Sequence, residues 1–350
     1  MKKYYAISLM SGTSLDGLDM CYVKFQYPEI QFEILEAETY SYSEDWRAQL
    51  KNSIHLSGEK LTKLDSDYGF YLGQKVNEFI QKNQIEKVDF IASHGHTVFH
   101  HPKENYTLQI GKGQGIFAET GIPTVFDFRS QDVALSGQGA PLVPIGDELL
   151  FGEFDACLNL GGISNISFKQ NQKRIAFDIS PFNMVLNFLA EKCGKRYDEN
   201  GDLARKGSIN QNLLNELNSL EFYQMNPPKS LGIEFSNEFI FPMIQNSSEK
   251  PENLLATFTE HFTVQISNVL NENQIQNVLV TGGGAYNQFF IQRLKNKYSG
   301  EIVLPEKEII EFKEALIFGL MGLLKLEKKV NVLRSVTGAK TDHSSGVILN

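Results

Sequence analysis

The sequence predicts an α/β protein built from two related domains, and three observations carry that expectation. Short apolar runs rich in β-branched and aromatic residues alternate with longer segments of helical periodicity. A strand, a glycine-bearing turn and a second strand occur twice, at residues 4–25 and 155–168. A third glycine-rich turn, Gly282–Gly284, joins a strand to a helix. A duplicated domain core accounts for all three. A chain of 350 residues is long enough to bury two such cores, and no period of 20–50 residues runs along it that would indicate a solenoid.

The elements follow in order. Tyr4–Met10 and Met20–Phe25 read as strands around the polar stretch "SGTSLDGLD", and "IQFEILEAETYSY" supplies a third strand. "SEDWRAQLKNSI" and "SDYGFYLGQKVNEFIQKN" read as helices, the second with Leu72, Val76, Phe79 and Ile80 on one face. Val88–Ser93 reads as a short buried strand that ends in a polar turn, "HGHTVFHHP". "TLQIGKGQGIFAETGIPTVFDF" reads as strand, loop, short helix and strand. The second half repeats the theme with "FDACLNL", a Gly-Gly turn, "ISNISFK" and "KRIAFD". Ser180 and Pro181 have the chemistry of an N-cap and first residue for a helix "FNMVLNFLAEKC". "LLATFTEHFTVQISNVLNEN" and the strongly apolar "EFKEALIFGLMGLLKLEKK" are further helices. The expected domains are 1–135, with the C-terminal segment 335–350 available to complete the first, and 136–334. With no low-complexity linker, the ligand site is expected in the cleft where they join.

Composition narrows the function. A formal charge of −9 argues against a general nucleic-acid surface, which needs a basic face. The three cysteines lie in apolar stretches without metal-ligand spacing, as expected of buried thiols in a reducing compartment. The apolar run after Lys2 and Lys3 is too short for a secretory signal, and no run approaches the ~20 apolar residues of a membrane span. A cytoplasmic location is expected, with no membrane partner.

The glycine loops at Gly12–Gly17, Gly161–Gly162 and Gly282–Gly284 follow apolar strands, where exposed backbone amides can cradle phosphate oxygens. None matches the lysine-bearing phosphate loop, and plain hairpin geometry explains any one of them; their recurrence favours a nucleotide. Thr13 and Ser14 add hydroxyl donors, while Asp16 and Asp19 can hold water around Mg²⁺, which takes only one or two carboxylates. Asp19 can equally be a turn residue. Asp178 closes the strand "RIAFD" ahead of a helix, where a carboxylate can take a proton from an attacking oxygen, or simply make a turn. His94, His96, His100 and His101 crowd one segment without partners that complete a metal site, so polar contacts to a sugar or a rigid turn are the better readings. Asp127, Arg129, Asp132 and Gln138 share a Gly/Pro-bearing loop of the kind that binds polyhydroxylated ligands.

"MSGTSLDGLD", "SHGHTVFHHP", "TLQIG", "DFRSQDVALSGQGAPLVP", "CLNLGGISNIS", "YDENGDLARKG", "PPKSLG", "VTGGGAYN", "EALIFG" and "SVTGAK" resemble, in order along nearly the whole chain, the anhydro-N-acetylmuramic acid kinases of the actin-like ATPase superfamily. The resemblance implies two ribonuclease-H-like domains facing a cleft, use of ATP and Mg²⁺, and a homodimer. It implies hydrolytic opening of the 1,6-anhydro ring with phosphorylation of O6, giving N-acetylmuramic acid 6-phosphate and ADP in cell-wall recycling. By the same resemblance Gly12, Thr13, Ser14, Leu15, Asp16, Gly17, Leu18 and Asp19 form the first phosphate loop. Gly161 and Gly162 belong to the second, and Gly282, Gly283 and Gly284 lie at the adenosine end. Asp178 occupies the catalytic position, Glu314 is a second acid placing sugar and water, and His94, His96, Thr97, Arg129 and Gln138 face the sugar. Where the family commonly reads Asp-Thr-Gly-Pro-Gly-Asn, this chain has "DISPFN"; His96 replaces a usual Gln and Lys112 a usual acid. A same-fold kinase for another amino sugar or anhydrosugar, or a non-catalytic ATP-binding switch, are the alternative readings.

Overall fold

The computed structural model describes the whole chain except Thr13, Ser14 and Asp16. Two compact units form, Met1–Phe151 with Phe312–Asn350, and Gly152–Glu311. These bounds differ from the expected ones, because residues 136–151 and 312–334 pack in the first unit. Gly146 lies against Ile317, and Gly322 lies against Phe90 and Ala92. The helix Lys307–Leu326 thus covers the first sheet from Phe312 onward.

In the first unit, strands β1 (Lys2–Ser11), β2 (Leu18–Tyr27) and β3 (Gln31–Tyr40) form an antiparallel meander. Next to β1, in parallel, lies β4 (Phe90–His101), which pairs with the hairpin strand β5 (Tyr106–Ile110) and in parallel with β6 (Thr124–Phe126). The C-terminal strand Val347–Leu349 pairs antiparallel with β6. Ile7, Leu9, Met20 and Ile91 sit in the core with Tyr68 and Leu72 of the helix Gly58–Lys82.

The second unit repeats the plan. Its strands are β7 (Ala156–Leu160), β8 (Ile163–Gln170), β9 (Lys173–Pro181), β10 (Asn277–Thr281) and β11 (Glu301–Val303). They run in the order β11-β10-β7-β8-β9, with β7-β8-β9 antiparallel and β7-β10-β11 parallel. The first sheet has the matching order β6-β4-β1-β2-β3. A meander of three strands followed by two parallel ones is the ribonuclease-H-like topology, and both units have it. The second core gathers Leu158, Phe182, Val280 and Phe290 with Phe258 and Phe262 of the helix Pro251–Glu272.

Two local expectations change. "HGHTVFHH" continues the strand rather than turning, because β5 supplies the ladder for its second half, and Gly95, at φ +74°, lies where the pairing with β1 shifts register between Ser93 and His96. Ser180 and Pro181 end β9 rather than starting a helix. Ser180 is buried with its amide and hydroxyl bonded to the Ser164 hydroxyl, at 3.2 and 2.9 Å, and the helix begins at Asn183.

Candidate active site

In the first unit several of the polar residues expected at the site hold one another. Arg129 Nε donates to His94 Nε2 at 2.9 Å, and its Nη1 donates to the Gly139 carbonyl at 2.7 Å. His94 Nδ1 lies 2.8 Å from the Gly95 carbonyl, which can only accept. The histidine is therefore the neutral Nδ1–H tautomer, its Nε2 lone pair taken by the guanidinium. Burial, and then the positive Arg129 beside it, hold His94 well below the usual histidine range. Burial also lowers Arg129, to about 10, while the carboxylates of Glu314 and Asp132 act the other way.

Glu314 comes to this cluster from the helix Lys307–Leu326. Its side chain meets solvent, yet the protein crowded around it raises the carboxyl above its usual range, with Arg129 and then Lys313 opposing. Beside it the buried Lys313 Nζ lies 2.7 Å from Asp147 Oδ1. The loop that carries Arg129 is held by Asp132, fully buried, which accepts from the Gly139 amide and from Thr337 Oγ1, both at 2.7 Å. Gln138 is exposed and its amide donates to the Thr337 carbonyl at 2.8 Å.

His96 belongs to a second network. Ser11 Oγ lies 3.3 Å from His96 Nδ1, Tyr42 Oη donates to Ser11 at 2.8 Å, and the wholly buried Tyr68 Oη lies 2.7 Å from Tyr42 Oη. Burial lowers His96 to about 4, so it is neutral at physiological pH. Thr97 stands apart, half-buried, receiving Gln109 Nε2 at 3.4 Å.

In the first glycine loop, Thr13, Ser14 and Asp16 lie outside the described residues. Gly12 accepts from the Leu15 amide at 3.4 Å, and Leu15 is left-handed at φ +57°. Gly17 is a packing residue, since a Cβ there would meet Thr39 and the Tyr40 carbonyl. Leu18 and Asp19 are residues of β2 rather than loop; Leu18 is buried, and Asp19 accepts Thr39 Oγ1 at 2.6 Å.

The second loop behaves differently, as does Gly283 of the third. A Cβ at Gly161, Gly162 or Gly283 would find nothing closer than 3.4, 3.9 and 3.8 Å respectively, and none of the three has a positive φ. The protein's own packing does not require glycine there; a ligand pressed against bare backbone would. Gly282, by contrast, needs its φ of +82°, and Gly284 is wedged against Phe182 and Leu160. The carbonyls of Gly161 and Gly162 accept the amides of Asn183, Phe182 and Met184, so the loop itself caps the following helix.

Asp178 was expected beside that helix start. Instead it lies inside β9, opposite Asn165, where Ile179 is the extra residue of a bulge. Its Oδ2 accepts the Leu231 amide at 2.8 Å, and its own amide donates to the Lys229 carbonyl at 3.1 Å. Burial raises its carboxyl above the usual range, against the Leu231 hydrogen bond. No ion pair to Asp178 is present among the described residues.

Sequence reasoning did not single out Tyr42, Tyr68 or Lys229, nor the tie from Asp132 to Thr337. The blocks "PPKSLG" and "SVTGAK" were the available signals for the last two.

Two ribonuclease-H-like units, each opening on a glycine-bearing hairpin, define the class: a protein of the actin-like ATPase fold. The model of the family "AnmK: Anhydro-N-acetylmuramic acid kinase" matches residues 3–350. The chain is 35% identical to the anhydro-N-acetylmuramic acid kinase of Haemophilus influenzae, over 99% of this chain and 98% of that one. It is 33% identical to the same enzyme of Francisella tularensis subsp. novicida and 31% identical to that of Bacillus cereus, in each case over at least 96% of both chains. The chain belongs to the anhydro-N-acetylmuramic acid kinase family.

Proposed function

We propose that the enzyme uses ATP to phosphorylate O6 of 1,6-anhydro-N-acetylmuramic acid while water opens the anhydro ring, yielding N-acetylmuramic acid 6-phosphate and ADP. Asp178 takes a proton from the water that attacks C1. The C1–O6 bond breaks, O6 captures the γ-phosphoryl group, ADP departs, and the proton passes from Asp178 to solvent. The observation that carries this reading is the setting of Asp178. It is a half-buried carboxylate with raised proton affinity, held by backbone and without an ion pair among the described residues.

The family resemblance supports the remaining roles. Arg129 and neutral His94 bind sugar oxygens, with His96, Thr97 and Gln138 as further contacts, and Glu314 orients sugar and water. The first loop, ahead of β2, and the open backbone of Gly161 and Gly162 receive phosphates, and Gly282–Gly284 the adenosine end. Asp19, half-buried, with Thr39 Oγ1 donating to its carboxylate at 2.6 Å, is a candidate to hold Mg²⁺, which takes only one or two carboxylates, with Asp16 as a second candidate. Bound there, Mg²⁺ would neutralise phosphate charge. A reaction that draws on ATP and returns a phosphorylated sugar to metabolism belongs in the cytoplasm, and the family resemblance adds a homodimer.

Turnover in ¹⁸O-labelled water tests the reaction directly. Label at C1 and phosphate on O6 are expected. ADP released with the sugar unchanged would overturn the assignment.

A further inference from the structure

The block "PPKSLG" has no role in the reaction as described, yet it is what holds the reacting carboxylate. The carbonyl of Lys229 and the amide of Leu231 take the Asp178 amide and Oδ2 respectively, so one short segment grips both ends of the residue. Little else steadies that segment. Met225 to Pro228 and Ser230 are exposed, and a loop so placed drifts unless it is anchored.

The anchor is the Lys229 side chain. Its Nζ donates to the Phe222 carbonyl at 3.1 Å, at the short helix Glu221–Gln224, and lies 4.7 Å from the centre of the Phe222 ring. Phe222 is itself buried and packs on Phe235 at 5.3 Å between ring centres. A partly buried ammonium is thus fixed by a carbonyl and an aromatic face together. Glu272 is the acid whose charge acts on it.

We propose that Lys229 is a positioning residue for catalysis: its ammonium, anchored on Phe222, fixes the backbone of residues 229–231 that aims the Asp178 carboxylate. The proposal rests on Asp178 being the base. Lys229 never needs to touch substrate. Its contribution is orientation, to which proton transfer is sensitive on the ångström scale. The Leu231 amide also favours the ionised carboxylate, so a loosened segment has a predictable second effect. Asp178 then binds its proton more tightly, and the acid limb of the pH–rate profile moves up.

The test compares Lys229→Met with Lys229→Arg in the full-length enzyme, using ATP and 1,6-anhydro-N-acetylmuramic acid. Lys229→Met is expected to lower kcat about tenfold or more, with KM for ATP unchanged, and to raise the acid limb by about one pH unit. Lys229→Arg, which keeps the charge, is expected to restore most of both. A Lys229→Met enzyme with kcat within twofold of the parent, or slowed with its acid limb unmoved, overturns the proposal. If Lys229→Met melts below the assay temperature, Lys229→Gln takes its place under the same two criteria. Asp178→Asn run alongside separates the two failures. Full turnover in that variant removes the base itself, whereas a dead Asp178→Asn beside an unaffected Lys229→Met removes only the anchor.

Discussion

The two units share one strand order and hold their chemical groups in opposite ways. In the first, side chain binds side chain: Arg129 holds His94, Tyr42 holds Ser11, and Asp132 holds Thr337. In the second, Asp178 is held by backbone on both sides. The difference has an energetic consequence. Deleting one member of a buried side-chain network orphans its partner, which costs the full desolvation of that group. Changing the Asp178 carboxyl orphans no side chain, so its loss should register in chemistry and hardly in stability.

Asp178→Asn is the harshest test of that contrast. Turnover should fall by about 10³-fold, since proton abstraction is lost while shape is kept. Direct titration should give an unchanged ATP affinity, and the melting temperature should hold or rise, because an amide is easier to bury than a carboxylate. A large drop in melting temperature would show that Asp178 is structural after all.

Arg129→Met comes next and should damage both properties. It leaves His94 Nε2 and the buried Gly139 carbonyl without their donor. A loss of about 10²-fold in kcat/KM for the sugar is expected, together with destabilisation of about 2 kcal/mol. Because the Arg129 charge holds the Glu314 carboxyl down, its removal should lift that carboxyl further. An activity loss with no change in the denaturation midpoint would break the comparison from the first unit's side.

Stability against pH separates the buried histidines from the raised acids. His96 titrates near 6.5 in the unfolded chain and about 4 in the fold. Between those values only the unfolded chain takes up the proton, so this histidine makes the protein less stable as pH falls, by about 1.4 kcal/mol per pH unit. His94, also lowered, adds a slope of the same sign. Asp178 and Glu314, both raised, have the opposite sign: just above the ordinary carboxyl value the fold keeps a proton that the unfolded chain releases, so they weaken the fold as pH rises. Urea midpoints from pH 7 to 5 should therefore fall, and His96→Gln should flatten the slope. An unchanged slope in that variant would place the His96 ring in water.

Much of this was legible in the sequence, and the misses share a cause. Glycine turns between apolar strands announced both hairpins, and the residues of the Arg129 cluster were named because charged residues in a Gly/Pro loop are conspicuous. The continuation of β4 through His94, His96 and His100 was not legible. Its β character comes from pairing with β5, a tertiary gain that local polarity hides. Ser180-Pro181 has helix-cap chemistry, but the Ser164 hydroxyl outbids that local preference by burying Ser180 in the sheet. Lys229 was invisible for a similar reason: nothing in "PPKSLG" says which carboxylate its backbone will meet, fifty residues back along the chain.

The mildest effect on activity should come from Tyr42→Phe, and it completes the contrast with Asp178→Asn. Tyr42 is buried, donates to Ser11 and meets the hydroxyl of Tyr68, itself without exposure. Removing one oxygen takes a hydrogen-bond partner from each of two buried hydroxyls, which should cost about 1–3 kcal/mol in the denaturation free energy. Ser11 then loses its donor but still lies beside His96 Nδ1, so KM for the sugar should rise only a few-fold and kcat should stay within twofold. The two variants would then be mirror images, one stable and inactive, the other active and less stable. A Tyr42→Phe enzyme as stable as the parent would mean that water already satisfies the hydroxyl chain, and the first unit would lose its distinction from the second.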